Sequence, residues 1–328
     1  MVCLAKWSET MSDLEVYLGI DTSCYTTSVA FMDRQAQLAG ESRQILKVRE
    51  GKCGLQQSEM VFQHTRNLPE MIKNAMPQGA RVIGVCASGC PRPLADSYMP
   101  AFLVGAGFAR SLSVLNNIPL WLISHQENHL LAGKWSAGGP CDERFLFLHA
   151  SGGTTDLLLA EQLESGSFKL TEIGGSIDLH AGQFIDRIGV SLGLQFPAGP
   201  ALEEFAKTAD APVELPVSVK ELKASLSGPA TAAERKLQAG ADPAGIAAGV
   251  QKVLAETFYR LIINAAKQYN VSSALIAGGV ASNAYIREYL HDRLNKKKIS
   301  LWHPQARFSC DNACGCAAFA VLKGENRV

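Results

Sequence analysis

The chain has 328 residues, 47% of them apolar, which is enough for a large interior and too long for one simple core, so two lobes are expected. Lysine plus arginine and aspartate plus glutamate balance at 31 each, which excludes a stand-alone nucleic-acid binder working through a general basic excess. No apolar run approaches the ~20 residues needed to cross a bilayer, so no membrane role is expected.

Residues 1–13 read as an extension before the first strand and lack a signal-peptide pattern, so a cytoplasmic location is expected. "EVYLGI" then reads as a strand that turns at "DTSCYTTS" and returns as "VAFMD". "RVIGVCASG" is a second strand pattern, "AFLVGAGFARSLSVLNN" a helix, and "PLWLIS" a strand followed by a helix carrying His125 and His129. The polar, glycine-rich stretch 134–144 reads as a junction. After it the opening shape recurs: "RFLFLH", the turn "ASGGTT" and the return "DLLLAEQ". A long helix over 243–270, the strand "SALIAGG" and the helix "NAYIREYLHDRLNKKK" follow, and this alternation argues for an α/β fold. The duplicated strand–turn–strand opening suggests two related lobes around a cleft. The basic run from Arg293 to Lys298 falls at a helix end, where cations favour the negative pole of the helix dipole. The nine cysteines are odd in number and form no CxxC, which fits reduced thiols.

Four features could carry chemistry. In the second hairpin turn, Gly152 and Gly153 expose backbone N–H groups among the hydroxyls of Ser151, Thr154 and Thr155; such a turn holds phosphate oxygens or is an ordinary glycine hairpin. Asn283, where a buried strand gives way to a helix, is either a ligand contact or an N-cap. Asp186 sits among Phe184, Ile185 and Ile188 on an amphipathic segment that runs into a Pro/Gly turn ending at Gly199 and Pro200. His125 and His129, one helical turn apart, can share a metal or be unrelated. Gln126 stands where a zinc-protease motif has its general base, and Glu127 lies about 200° round the helix from His125 and points away. Asp311, near the start of the last helix, is a third ligand or an N-cap.

Taken in order, "LGIDTSC", "SHQENHL", "LHASGGTTDLLL", "GGSIDLHAGQFIDRIGVSLGLQFPAGP", "ASLSGP", "AGGVASNAYIRE" and "CDNACGCAAFA" resemble the threonylcarbamoyladenosine synthase family TsaD, once called Gcp or O-sialoglycoprotein endopeptidase. The match runs from about residue 16 to 320. The resemblance implies an actin-like ATPase (ASKHA) α/β fold with two RNase-H-like lobes around a nucleotide cleft. On that frame lobe I spans 14–133 and is completed by 310–328, and lobe II spans 134–309. It also implies that His125, His129 and Asp311 hold one divalent metal, iron or zinc. Ser151, Gly152, Gly153, Thr154 and Thr155 would contact the phosphates of an ATP- or AMP-type nucleotide or the donor, Asp186 the ribose, and Gly199 and Asn283 the adenosine.

The activity implied is transfer of a threonylcarbamoyl group from threonylcarbamoyl-AMP to an adenosine of tRNA. The implied partners are a smaller actin-like paralogue and a small ATPase. Four positions depart from the family pattern: Tyr25 and Thr26 replace an acidic pair, Thr154 a histidine and Gln183 a glutamate. The departures suggest a divergent paralogue, and they set a non-catalytic, regulatory nucleotide binder beside the transferase as the second reading. A metalloprotease is the third.

Overall fold

The computed structural model describes residues 14–23, 25–48 and 55–325; the extension over 1–13 lies outside them. The first sheet is assembled from β1 (Glu15–Thr22), β2 (Thr26–Asp33), β3 (Leu38–Ile45), β4 (Arg81–Cys90) and β5 (Leu120–Ser124). Between these strands lie α1 (Gln57–Ala75) and α2 (Phe102–Asn116), and α3 (His125–Ala137) follows β5 directly. The second sheet begins with β6 (Arg144–Ala150), β7 (Thr155–Gln162) and β8 (Phe168–Ser176). Then come α4 (Ala181–Ser191), α5 (Gly199–Ala206), the short strands β9 (Ser218–Lys220) and β10 (Lys223–Ser225), α6 (Ser227–Gln238) and α7 (Pro243–Tyr269). β11 (Ser273–Ala277), α8 (Ala284–Asn295), β12 (Ser300–Trp302), α9 (Ala306–Ser309) and α10 (Cys314–Glu325) complete the chain.

The two sheets repeat one plan. Their orders are β3-β2-β1-β4-β5 and β12-β11-β6-β7-β8-β10-β9. In each, the first strand pairs antiparallel with the second and parallel with a later one: β1 with β2 and β4, β6 with β7 and β11. The duplicated hairpins of the sequence are thus the centres of two equivalent sheets, and the β9–β10 hairpin extends the second.

Burial divides the molecule into layers. Val16, Leu18 and Ile20 of β1 pack with Leu68 and Met71 of α1 and Val104 and Ala109 of α2 on the outer face of the first sheet. The opposite face shares a core with α3, α10 and the second sheet, through Met32, Cys86, Leu130, Ala132, Phe145, Phe147, Leu275, Cys316 and Ala317. Leu146, Leu148 and Ile276 on the far face meet α4 to α8 through Phe184, Leu202, Ala233, Phe258 and Ile286. Strands buried on both faces read as continuous apolar runs, as "RFLFLH" does.

Some expectations need correction. α3 runs on to Ala137, so the first residues of the stretch read as a polar junction are helical. Gly199 and Pro200 open α5 rather than end a turn, since proline suits a first helical position. β3, α1, α6 and the β9–β10 hairpin have no counterpart in the sequence reading. Among the described residues, Cys86, Cys90, Cys141, Cys310, Cys314 and Cys316 are free thiols, and no helix is long and apolar enough to cross a membrane.

Candidate functional site

α3 begins at once after β5 because Ser124 caps it. Glu127 N donates to Ser124 Oγ at 3.2 Å, and Ser124 N donates to Glu127 Oε2 at 2.7 Å. His125 is therefore fixed in the first turn, while the Glu127 carboxylate is folded back onto the helix start. Gln126 also faces elsewhere: its Nε2 donates to Asp156 Oδ2 at 3.1 Å, the same oxygen that Arg92 Nη2 meets at 2.8 Å. No carboxylate of this helix is available as a protease base.

Asp311 reaches the histidines because α10 crosses α3 closely. At Gly315 any Cβ would run into the carbonyl oxygen of Asn128, so only glycine admits this crossing. Asn128 locks it: its Oδ1 accepts from Cys316 N at 2.8 Å and its Nδ2 donates to Asn312 O at 2.7 Å. Just ahead of α10, Asn312 Oδ1 accepts from Cys314 N at 2.9 Å. The Asp311 carboxylate is turned toward the imidazoles of α3.

The result is a compact donor set. His129 Nε2 is 3.1 Å from His125 Nε2, and Asp311 Oδ1 is 3.3 Å and 3.6 Å from them respectively. All three ligand atoms lie within 4.8 Å of one another. His129 is 2% exposed, His125 16% and Asp311 29%, so the set opens on the Asp311 side. Ser23 Oγ donates to Asp311 Oδ2 at 3.3 Å, leaving Oδ1 toward the imidazoles.

Behind His125 stands Asp21, fully buried at the end of β1. Its Oδ1 is 3.0 Å from His125 Nδ1 and also accepts from the Ser88 hydroxyl, while its Oδ2 is buried without a partner. A carboxylate holding the far nitrogen of an imidazole fixes the tautomer whose Nε2 lone pair faces a metal. The orphaned oxygen marks negative charge that the chain's own hydrogen bonds do not balance. Two imidazole nitrogens, one carboxylate oxygen and this backing fit a divalent ion with positions left for substrate.

Electrostatics agree. Burial opposes protonation of His125, but the Asp21 carboxylate, followed by Asp311, outweighs it and raises its pKa well above the ordinary value. Burial and then the charge on His125 lower that of His129. For Asp311 burial opposes ionisation, yet the hydrogen bonds of both imidazoles hold its carboxyl well below the usual carboxylate range.

The glycine turn adjoins this set. Ser151 N donates to Thr154 O at 2.9 Å, and Gly152 and Gly153 face open space. Thr155 is buried and its hydroxyl is spent on structure, accepting from Ala181 N at 2.7 Å and donating to Thr154 O at 2.8 Å. Asp186 Oδ1 accepts from Ala198 N at 2.7 Å, which places it beside Gly199, and burial raises its pKa against that hydrogen bond. Asn283 caps α8, its Oδ1 accepting from Ile286 N at 3.0 Å, and Glu203 of α5 accepts from Ala284 N at 2.8 Å. Asp186, Gly199 and Asn283 are thus linked through Ala198 and Glu203.

Of the four departures, Gln183 is explained locally: its Oε1 accepts from His180 N at 3.0 Å, a capping role that glutamine fills as well as glutamate. Thr26 is buried, and Tyr25 stands 37% exposed beside it. Asp21, Ser23, Ser88, His149 and Glu203 were not singled out in the sequence. "DTSC" carried the signal for the first two, as a turn able to hold phosphate oxygens or an ordinary hairpin and as a family motif, without a role for either residue.

A family model described as tRNA N6-adenosine threonylcarbamoyltransferase, TsaD, matches residues 98–318. The tRNA N6-adenosine threonylcarbamoyltransferase of Aromatoleum aromaticum is 30% identical over 323 residues, covering 93% of this chain and 90% of its own. That of Thermosipho africanus is 29% identical over 310 residues, covering 91% of each. Among solved structures, component A of the Acidaminococcus fermentans (R)-2-hydroxyglutaryl-CoA dehydratase superposes with a TM-score of 0.57 at 17% identity, over 94% of this chain and 99% of that one. HypF of T. kodakarensis gives 0.61 at 14% identity, over 97% of this chain and 49% of that one. A ROK family glucokinase from Streptomyces griseus, in complex with glucose and AMPPNP, gives 0.53 at 11% identity, over 93% and 99%. These likenesses show the actin-like ATPase fold.

Proposed function

The chain belongs to the TsaD family of tRNA N6-adenosine threonylcarbamoyltransferases, and we propose that it is a transferase moving a threonylcarbamoyl group from its AMP-activated donor to an adenosine of tRNA. The observation that carries this reading is the convergence of His125 and His129 of α3 with Asp311, distant in sequence, beside the turn at 151–154. These three side chains would hold a divalent iron or zinc ion, which when bound would supply Lewis acidity toward the donor carbonyl. The chain itself supplies the geometry. Asp21 holds the His125 ring by its Nδ1, and Ser23 fixes which oxygen Asp311 presents. The turn at Gly152 and Gly153, where no other group crowds the Cα atoms, presents the Ser151 and Thr154 hydroxyls to the anionic part of the donor. Asp186, Gly199 and Asn283 with its neighbour Glu203 enclose the adenosine, so an ATP- or AMP-type nucleotide is the bound ligand. Thr155 supports the turn from behind.

The division into lobe I (14–133 with 310–328) and lobe II (134–309) belongs to the same reading and is supported by the membership of the two sheets. So do a cytoplasmic location, where tRNA is met, and the smaller actin-like partner and small ATPase, which rest on the family resemblance. The balanced net charge supports a partner's share in holding tRNA.

The test is a reconstituted assay with donor-forming enzyme, tRNA, iron or zinc, with and without the partner proteins, read by mass spectrometry of tRNA nucleosides. We expect threonylcarbamoyladenosine with the wild-type chain and its loss in His129→Ala. No product from protein with metal and nucleotide bound would overturn the transferase reading in favour of a regulatory binder.

A further inference from the structure

β6 ends in a histidine that the metal set does not use. His149 is 3% exposed, stacked on Phe147 with centroids 5.9 Å apart and lying 4.4 Å from the His129 ring. Its Nδ1 is 3.3 Å from Thr154 Oγ1, which is 2.7 Å from Ser151 Oγ. Ser151 Oγ in turn accepts from Gly153 N at 3.3 Å. One continuous line of polar contacts therefore runs from the buried strand to the open glycine turn. His149 Nε2, at the other end of the line, is buried without a partner.

Packing alone does not account for an imidazole here. Phenylalanine would fill the same layer, as Phe145 and Phe147 do on the same face of β6, without burying an unpaired nitrogen. The direction of the line matters as well. A hydroxyl has one hydrogen and can donate to only one neighbour. If His149 carries its proton on Nδ1, Thr154 accepts from it and donates to Ser151, and the Ser151 hydrogen is left for a ligand. With the proton on Nε2 the line reverses, and the Ser151 hydrogen is consumed by Thr154.

We propose that His149 is a positioning residue for the turn: as the Nδ1–H tautomer it orders the Thr154 and Ser151 hydroxyls so that Ser151 donates to a phosphate oxygen of the bound nucleotide. This rests on the assignment of the turn to the nucleotide phosphates given above. It assigns Thr154 a role that depends on its hydroxyl rather than its size.

The test uses the full-length, metal-loaded chain with AMPPNP as probe, titrated by calorimetry. Thr154→Val and His149→Phe are each expected to weaken AMPPNP about tenfold to a hundredfold, the worth of one hydrogen bond to a charged group. The double variant should be no weaker than the worse single one, and Thr154→Ser should stay within about threefold of wild type. Metal content should be unchanged throughout, which a general loss of structure would not allow. Wild-type affinity in His149→Phe, or losses that multiply in the double variant, would overturn the proposal. If the wild type takes up no AMPPNP, the nucleotide reading fails separately. Hydrogen exchange at Gly152 and Gly153 then decides, faster exchange in both single variants supporting the line of contacts and unchanged exchange overturning it.

Discussion

At the scale of single residues, the site depends on a choice between neighbours. "CDNAC" offers two cap-forming side chains before α10, and a local reading cannot say which is used. In the fold Asn312 bonds to Cys314 N at the helix start, and the Asp311 carboxylate faces α3. The spacing offered the histidine pair, and Asp311 stood as a third candidate, but only the family resemblance joined them, because nothing within one segment reveals a contact across 182 or 186 residues. Asp21 was invisible for the same reason: it meets His125 across 104 positions. Its role is testable. Asp21→Asn removes the charge behind His125 and should weaken metal affinity about tenfold to a hundredfold, measured against a competing chelator. Affinity within twofold of wild type would show that His125 needs no such backing. The raised pKa of His125 gives a second expectation. Asp21 and Asp311 favour the protonated form of this imidazole in the metal-free chain, and a ligand must be neutral, so binding should release protons and weaken as pH falls. Calorimetry in two buffers of different ionisation enthalpy measures that release; no proton release would contradict the assigned ligand.

At the scale of elements, the strongly patterned pieces were legible and the weakly patterned ones were not. α7 and α2 announced themselves by long apolar periodicity. α1 did not, because Pro69 lies inside it, and α6 begins with Ser-Gly-Pro, which reads as a turn. β3, "LAGESRQI", is half-buried along most of its length and lacks a clear alternation. The decisive element contact is the crossing of α3 and α10. Gly315→Ala would drive a methyl group into the Asn128 carbonyl, a backbone atom that cannot turn aside. We expect a loss of about 3 kcal/mol in unfolding free energy, at the upper end for an overpacked site, together with weakened metal binding. Chemical denaturation followed by circular dichroism gives the first and chelator competition the second. A variant as stable as wild type would show that the helices are not held at this distance.

At the scale of the whole molecule, the recurrence of strand, polar turn and strand was enough to expect two related halves. What it could not show is that α3 and α10 fill the space between the sheets. The buried residues of that middle layer come from both sheets and from both ends of the sequence, so the chain closes on itself before a metal site exists. The donor set is therefore a property of the finished fold and not of either half. The equivalent β1 and β6 hairpins contribute differently to it: the first brings Asp21 and Ser23 behind the ligands, and the second brings the glycine turn alongside them. Elemental analysis of the purified full-length chain, compared with His125→Ala and Asp311→Ala, tests this most directly. We predict about one equivalent of iron or zinc in the wild type and almost none in either variant, with folding retained by circular dichroism. Wild-type protein that binds no metal, or an Asp311→Ala variant that keeps its full complement, would contradict a centre built jointly from α3 and the segment before α10.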